Sequence, residues 1–497
     1  MSIPRAEHPK PQFQREAWIT LNGPWTCRFD HGRSGVEARW QHATGFEQAI
    51  TVPFCPESRL SGLGHTDFIN AIWYHRAITI PADWRGRDVV LHFGAVDYEC
   101  EAFIDGVSAG LHFGGTVSFA LDITRLVKAG GTHQLVVRAY DDTRAGAQPG
   151  GKQSHRLHSH GCHYTRTTGI WQTVWLEAVD AGGLADVQVV PDLDGSRFLL
   201  TPSFRAARRG LTFHATLADG GRVLAEAAQP AAAAGTLELP VADPKPWEPG
   251  SPHLYDLCFE VRDGNTVLDR VQSYAGLRKV HIEGNRVYLN NKALYQRLVL
   301  DQGFYPDGIW TAPSDAALRR DIELSMAAGF NGARLHQKVF EERFHYWADR
   351  LGYLTWGESS SWGGSPDNVA YARNFLSEWA EIVRRDRNHP SIVAWTPFNE
   401  TSGVSNRAQH ARTHIDAYRL CKAIDPTRPV NDTSGYVHAV TDLWTVHNYE
   451  QDPSKLAQAM AVGEKGVWRN FPDIEPAYSG QPYLVDEYGG IKWNPAD

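Results

Sequence analysis

Residues Ser391–Glu400 read SIVAWTPFNE and run on into Thr401-Ser402-Gly403. The apolar run Ile392–Trp395 has the length and composition of a buried strand, and the chain leaves it through Asn399-Glu400. A carboxylate there is either a solvated loop residue or a group held at a mouth for chemistry. The segments on either side decide which.

From about residue 281 onward, helical patterns alternate with short apolar runs. Leu318, Ile322 and Met326 recur every four residues and stop at Gly329; Phe344, Trp347 and Leu351 stop at Gly352. Phe375, Trp379, Ile382 and Val383 stop before Asn388-His389-Pro390, and Ile415, Tyr418 and Cys421 make a further face. Between these lie ALYQRLVL, FNGARLH, YLTWGE, SIVAWTPFNE, PVNDTS, DLWTVHNYE and PYLVDEYGG. Seven βα-type strands in succession predict a parallel (β/α)8 TIM-type barrel that lacks its last piece and is C-terminally incomplete.

In such a barrel the chemistry sits at the C-terminal ends of the strands. Those ends carry Asp301, Arg334 with His336, Glu358, Asn399 with Glu400, Asp432, His447 with Asn448 and Tyr449, and Asp486 with Glu487. One such residue is ordinary; a ring of them on one face implies a polar pocket. Glu400 ends the fourth strand and Glu487 the seventh, which sets them opposite each other. Two carboxyl groups roughly 5 Å apart suit retaining glycoside hydrolysis. A close pair in a shielded pocket resists double ionisation, so Glu400 is cast as the proton donor to the leaving oxygen and Glu487 as the nucleophile. Asn399-Glu400 is then placed for chemistry.

The first 180 residues read as β structure. VVLHF is a continuous apolar run, and Tyr98, Cys100, Ala102 and Ile104 alternate toward one side before the Asp105-Gly106 turn signal. HQLVVRAYDD and TVWLEAV continue the series, which predicts a sandwich or jelly roll over 1–180. Strands recur over 181–280 as ADVQVVPDL, LTFHATLA and YDLCFEVRD. The Ala/Pro stretch from Ala227 to Pro252 resembles a linker taken alone, and between such strands it is read as a long loop inside a second small sandwich. The barrel occupies 281–497.

Bulk properties are those of an ordinary globular protein rather than a disordered one. A chain of 497 residues is too long for one core and suggests about three domains. Apolar residues at 42% and charged residues at 21% are ordinary. A net charge of −8 without a basic stripe argues against nucleic acid as partner. Cys27, Cys55, Cys100, Cys162, Cys258 and Cys421 show no paired spacing, which favours reduced, buried thiols over a disulfide or zinc framework. The start MSIPRAEHPKPQFQ has no apolar signal-type core, and no run of about 18 apolar residues follows. The expectation is a cytoplasmic protein with no membrane partner. The 17 Trp include platforms for sugar rings and ordinary packing residues, and Trp356, Trp362 and Trp444 are open between the two.

Several motifs carry a family resemblance. LNGPW, WYHR, DYECEAFIDG and TRTTGIWQTVWLE in the first region, PWEPGSPHLY in the second, and GFNGARLHQ, YWADRLGYLTWGE, RDRNHPSIVAWTPFNE and YLVDEYGG in the third resemble glycoside hydrolase family 2. That group holds β-galactosidases, β-glucuronidases and β-mannosidases, and the resemblance spans essentially the whole chain. It implies a sugar-binding jelly roll, an immunoglobulin-like sandwich in place of a linker, and the TIM-type barrel. By resemblance Glu400 is the acid/base, Glu487 the nucleophile, Asn399 the partner of the sugar 2-hydroxyl and Arg334 the support of the nucleophile. Tyr449 matches a tyrosine beside the nucleophile and His336 lines the pocket. A core salt bridge is the plainer account of Arg334 and packing that of Tyr449. Glu358 and His447 stay open as substrate-binding or structural groups.

Departures from the family pattern shape the expectation. The large β-galactosidases carry a magnesium site after the third strand; here that segment reads Glu358-Ser-Ser-Ser-Trp-Gly-Gly364, so no metal or cofactor is expected. Gly161-Cys-His-Tyr164 stands where those enzymes place an acidic residue, which weakens a strict lactose assignment. A glucuronidase Asn-x-Lys would fall beyond residue 497. The absent eighth strand implies a piece of a longer product or a shortened chain. The leading expectation is a retaining exo-glycosidase on β-glycosides, with galactosides first, then glucuronides, then arabino- or galactofuranosides. A carbohydrate-binding protein without turnover is the reading from another class, and a homo-oligomer stays open.

Overall fold

The run SIVAW becomes the strand Ile392–Thr396, buried at every position. It closes a four-stranded parallel sheet ordered Leu298–Asp301, Gly332–Leu335, Leu354–Glu358, Ile392–Thr396. The computed structural model describes residues 3–232, 235–403, 405–463 and 466–489. Past Thr396 the parallel order continues: Trp395 bridges Val430, Phe398–Asn399 pairs with Thr433–Ser434, and Trp444–Asn448 with Tyr483–Tyr488. Helices α1 Asp315–Ala327, α2 Glu342–Leu351, α3 Val369–Asp386, α4 Arg407–Ile424 and α5 Pro453–Met460 stand between the strands. Sequential parallel strands joined by helices are the βα pattern of a TIM-type domain. Among the described residues, Leu298–Asp301 and Tyr483–Tyr488 are each paired on one side only. A cavity of about 370 Å³ lies between them, lined by Leu298, Leu300, Phe330, Trp356, Leu484 and Tyr488 among others.

The helices begin where side chains can take up free amides. Ser314, Asn368, Asn406 and Asp452 accept from the first turns of α1, α3, α4 and α5, and Gly352 ends α2 at φ 72°. Two faces differ from expectation. Leu318 and Ile322 are buried, but Met326 is exposed, so the apolar stripe of α1 is one turn shorter than its spacing suggests. On α4 the inward residues are His410, Thr413, His414, Ala417 and Cys421, with Ile415 and Tyr418 only half-buried. The histidine is tolerated because it is satisfied: His414 Nδ1 meets the His410 carbonyl and Nε2 the Thr401 hydroxyl, each at 2.8 Å.

The N-terminal region forms two antiparallel sheets around one core. One runs Trp18–Thr20, Val174–Val179, Asp88–Phe93, Phe119–Asp122; the other has six strands with Ala71–Thr79, Thr132–Tyr140 and Glu99–Ile104 at its centre. Cys100, Ala102 and Ile104 join that core as their alternation predicted, with Tyr98 also buried. Asp105 and Gly106 both have positive φ, 49° and 83°, which fits the hairpin turn the pair signalled. A second sandwich follows, one sheet of Leu184–Asp192, Arg197–Phe204 and Leu237–Pro240, the other centred on Leu211–Asp219 and Tyr255–Asp263. The Ala/Pro stretch is not one long loop. It holds the end of the strand Arg222–Pro230 and all of Leu237–Pro240, and two of its alanines, Ala227 and Ala231, pack on the core. Alanine carries too little apolar surface to announce a strand. Of the six cysteines, all free, Cys162 is exposed and Cys258 half-buried, against the expectation that all are buried.

Buried polar joints bind the parts together. Asn388 receives the Val189 amide at 2.9 Å and donates to the Val187 carbonyl at 2.8 Å, tying the loop before Ile392 to the second sandwich. His389 meets Asp349 at 2.6 Å. Arg15 contacts Asp269 at 2.9 Å, Glu177 at 2.8 Å and the Leu184 carbonyl at 2.7 Å, joining both sandwiches. Burial alone would raise the Glu177 carboxyl, but His92, Arg15, Trp175 and His8 bring it from 4.5 down to about 2. Its depressed value contributes stability that is present above 4.5 and lost as pH falls through about 2. Arg15→Ala strands two buried carboxylates and should cost about 3–5 kcal/mol at neutral pH. Urea denaturation followed by Trp fluorescence measures this; the gap between variant and parent should narrow below pH 4.5, and a gap under about 1 kcal/mol contradicts the joint.

Candidate active site

Glu400 leaves the barrel wall in an unusual conformation. Phe398–Asn399 is held by its parallel pairing, and the Glu400 amide donates to the Ser434 carbonyl at 3.0 Å. There the Glu400 backbone adopts φ 50°, a left-handed value costing a residue with a side chain about 1 kcal/mol or more. The turn brings Glu400 Oε1 to 2.8 Å from His447 Nδ1, with the side chain only 16% exposed. It is no solvated loop residue.

Glu487 meets it from Tyr483–Tyr488. Arg334, in the buried strand Gly332–Leu335, donates Nη2 to Glu487 Oε1, and the Tyr449 hydroxyl donates to Oε2. Arg334 Nη1 donates to Glu358 Oε2 at 2.5 Å and lies 3.5 Å from Asn399 Oδ1. Glu358 Oε1 accepts from the Gln337 amide at 3.0 Å and sits 3.1 Å from His336 Nδ1. Burial works against the Arg334 charge, yet Glu358, Asp486 and Glu487 hold its pKa above the ordinary arginine value. Burial pushes the Glu358 carboxyl up in spite of Arg334. Burial and the Arg334 charge push His336 well below the usual histidine range, leaving it neutral at pH 7.

His447 links the two halves. Its Nε2 lies 2.9 Å from Ser434 Oγ, 3.3 Å from Asp486 Oδ1 and 3.6 Å from Glu487 Oε1. Burial opposes its charge, but Asp486, the hydrogen bond to Glu400 and the charge of Glu487 lift it from 6.5 to about 9. Asp486 is depressed in turn: burial is outweighed by His447, Arg334 and Ser434. One donor atom each from Glu400, His447 and Glu487 falls within 4.8 Å of the others. Such a trio has the composition of a cation site, but a protonated imidazole hydrogen-bonded at both nitrogens has no lone pair to give. A carboxyl oxygen of Glu400 therefore comes within 4.8 Å of one from Glu487, near the ≈ 5–5.5 Å of retaining pairs rather than the ≈ 6.5–9.5 Å of inverting ones.

Of the residues read at strand ends, the structure brings Arg334, His336, Glu358, Asn399, Glu400, His447, Tyr449, Asp486 and Glu487 into one connected set. Asn399 donates its amide to Ser361 Oγ at 3.2 Å, and its buried Nδ2 has no partner among the described residues. Asp432 lies outside: it staples the His438–Val440 loop through contacts of 2.6–3.0 Å. Asp301 caps Gly303 at 2.9 Å. Trp356 and Trp444 are packed in the interior, whereas Trp362 flanks Asn399, donating Nε1 to its carbonyl at 3.2 Å. The sequence reading missed Ser434, which bridges His447 and Asp486 at 2.9 and 2.6 Å. Its only signal is a serine at the end of the short run PVNDTS.

Comparison with known proteins agrees with this geometry. The family model described as "Glycosyl hydrolases family 2" matches residues 184–278, and "Glycosyl hydrolases family 2, TIM barrel domain" matches 280–494. The chain is 24% identical to a β-glucuronidase of Paenibacillus borealis, over 97% of this chain and 84% of that protein. It is 26% identical to a β-galactosidase of Aeromonas hydrophila, over 86% of this chain and 42% of that protein. The solved β-glucuronidase from Ruminococcus gnavus in complex with D-glucuronic acid superposes with a TM-score of 0.77 at 22% identity, covering 91% and 79% of the two chains. This last likeness is one of fold. No described helix is long and apolar enough to cross a membrane.

The raised His447 value carries its own sign. The stability it contributes is complete below 6.5 and lost as pH rises through about 9. In histidine-labelled protein, NMR should show one imidazole with a midpoint near 9 that disappears in His447→Gln. A His447 midpoint at or below 6.5 contradicts the ion-paired arrangement.

Proposed function

The chain belongs to glycoside hydrolase family 2, and on that premise we propose that it is a retaining exo-glycosidase releasing glucuronic acid from β-glucuronides. The observation that carries the reading is the approach of one carboxyl oxygen of Glu400 to within 4.8 Å of one of Glu487, which favours the close pair of a retaining enzyme over the wider pair of an inverting one. In the first step Glu487 attacks that carbon, the glycosidic bond breaks, and Glu400 gives a proton to the departing oxygen. The product is a glycosyl ester on Glu487. In the second step Glu400 takes a proton from water, the water oxygen bonds to the same carbon, and Glu487 leaves as a carboxylate. Two inversions return the starting configuration.

The neighbours serve those steps. Arg334 and Tyr449 hold the two oxygens of Glu487 and share its charge through charge-assisted hydrogen bonds. His447 fixes Glu400, and Glu358 fixes Arg334. The unpaired Nδ2 of Asn399 suits the sugar 2-hydroxyl, a contact that strengthens in the transition state. Galactosides, the first expectation from sequence, yield to glucuronides. The β-glucuronidase relative is matched over 84% of its length, the β-galactosidase over 42%.

With 4-nitrophenyl β-D-glucuronide, ¹H NMR should show the β-anomer of glucuronic acid first. Glu400→Gln and Glu487→Gln should each lower kcat by about 10²- to 10⁴-fold. First release of the α-anomer, or sugar binding with no turnover of any glycoside, would sink the proposal.

A further inference from the structure

A histidine-rich hairpin of the first domain stands on the barrel and has no task in the scheme above. It is seated by the turn Gly150–Lys152. The Gly150 amide donates to the Trp362 carbonyl at 2.6 Å, and the Gly151 amide lies 3.1 Å from both the Ser360 and Trp362 carbonyls. Gly151 has φ +57°, and a Cβ built there would stand 2.2 Å from the Gln337 carbonyl oxygen. Lys152 follows, with Nζ 4.0 Å from the ring centroid of Trp362. The chain then reads Ser154-His-Arg-Leu-His-Ser-His-Gly-Cys-His163. It folds back at His160 and His163, whose amides donate to each other's carbonyls at 3.0 and 2.8 Å.

That hairpin gathers three imidazoles. Ring centroids are 4.9 Å apart for His155 and His160, 5.0 Å for His160 and His163, and 5.8 Å for His155 and His163. Three imidazoles on one tetrahedral ion, each bound at about 2.0–2.1 Å, hold their ring centres roughly 5 Å apart. As the rings are turned, their three donor nitrogens do not lie within 4.8 Å of one another. Rotation about Cβ–Cγ, a broad torsion in histidine, swings the nitrogens and leaves the ring centres nearly in place. The donors are available. Ser154 Oγ lies 3.0 Å from the carbonyls of Arg156 and His158 and 3.1 Å from His160 Nδ1. Its one proton goes to a carbonyl, which can only accept, so His160 Nδ1–H donates to Oγ and Nε2 keeps its lone pair for a ligand bond. His163 Nδ1 is buried with no hydrogen-bond partner among the described residues. Burial, with His160, Lys152 and His155 nearby, holds that ring below the usual histidine range, so it is neutral at pH 7. His447 in the catalytic pocket is the opposite case, with both nitrogens engaged.

We propose that His155, His160 and His163 bind one borderline divalent cation of the Zn²⁺ class, with solvent completing its shell. Imidazole suits such ions, whereas Mg²⁺ and Ca²⁺ prefer oxygen. Entry is open, since His155 is exposed and the other two are half-buried. The site is separate from Glu400 and Glu487 and does not depend on the glycosidase reading. The His163 ring lies 5.5 Å from that of Trp362, whose Nε1 donates to the Asn399 carbonyl, so the ion pins the hairpin to the wall beside Asn399-Glu400. Neutral ligands with the Lys152 charge close by set the affinity in the micromolar range.

The test is titration calorimetry of the untagged full chain with ZnCl₂ at neutral pH, with MgCl₂ as the control. One Zn²⁺ should bind per chain with a Kd of about 1–50 μM, and Mg²⁺ should give no saturable heat. His155→Ala, His160→Ala and His163→Ala should each weaken binding at least about tenfold. His158→Ala, on the same loop but outside the ring contacts, and Glu487→Gln, which breaks the acidic trio, should each stay within about threefold of the parent. Cys162 carries an exposed free thiol in the same turn. Loss of binding in Cys162→Ser with the histidine variants unchanged makes that thiol the site and overturns the proposal. A parent Kd above about 1 mM, or an effect of His158→Ala equal to that of the three, overturns it as well. If His163→Ala does not fold, the exposed His155→Ala decides.

Discussion

A single guanidinium makes the site possible. Arg334 is held in a buried strand, with one arm on Glu358 and the other on Glu487. At an effective dielectric near 20, two like charges about 4 Å apart repel by roughly 4 kcal/mol, so these carboxylates could not share an interior without it. Glu358 has no exposure to spare and exists, in effect, to aim Arg334. The imidazolium of His447 does the same for Asp486 on the other side and holds Glu400 by a hydrogen bond. The pocket is thus two ion-paired halves brought together, with the anomeric centre expected at their seam.

Much of this was legible because strand ends are simple to read. An apolar run of four or five residues followed by a polar one marks both the strand and the direction of its exit, and that pattern located Arg334, Glu358, Glu400 and Glu487. It failed where the contact depends on loop closure. Ser434 becomes a bridge only when Phe398–Asn399 and Thr433–Ser434 pair. Lys152 arrives from another domain, across about 200 residues of sequence from the wall it touches. Periodicity also misled where burial is not apolar. The inward face of α4 is built on His410 and His414, where the hydrogen bonds of His414 stand in for hydrophobicity, and alanines in a strand give no apolar signal.

Asn388-His389-Pro390-Ser391, which opens the run that ends in Asn399-Glu400, touches neither Glu400 nor Glu487 in the described contacts. Asn388 reaches the second sandwich, His389 and the Ser391 amide reach Asp349, and the Pro390 carbonyl accepts from Arg278 at 2.8 Å. These residues seat the strand that carries Glu400. Glu400 inherits its position from a joint some ten residues upstream, and its left-handed backbone, φ 50°, is a conformation the residue would not choose by itself.

Gly151 gives the last consequence, and it concerns heredity more than chemistry. With 2.2 Å between a would-be methyl and the Gln337 oxygen, the first domain rests on the barrel with the clearance of one hydrogen atom. Every amino-acid change that one nucleotide can make in a glycine codon adds a side chain. This position has no harmless neighbours among mutants, and the seam between domains can drift only by rearranging both sides together.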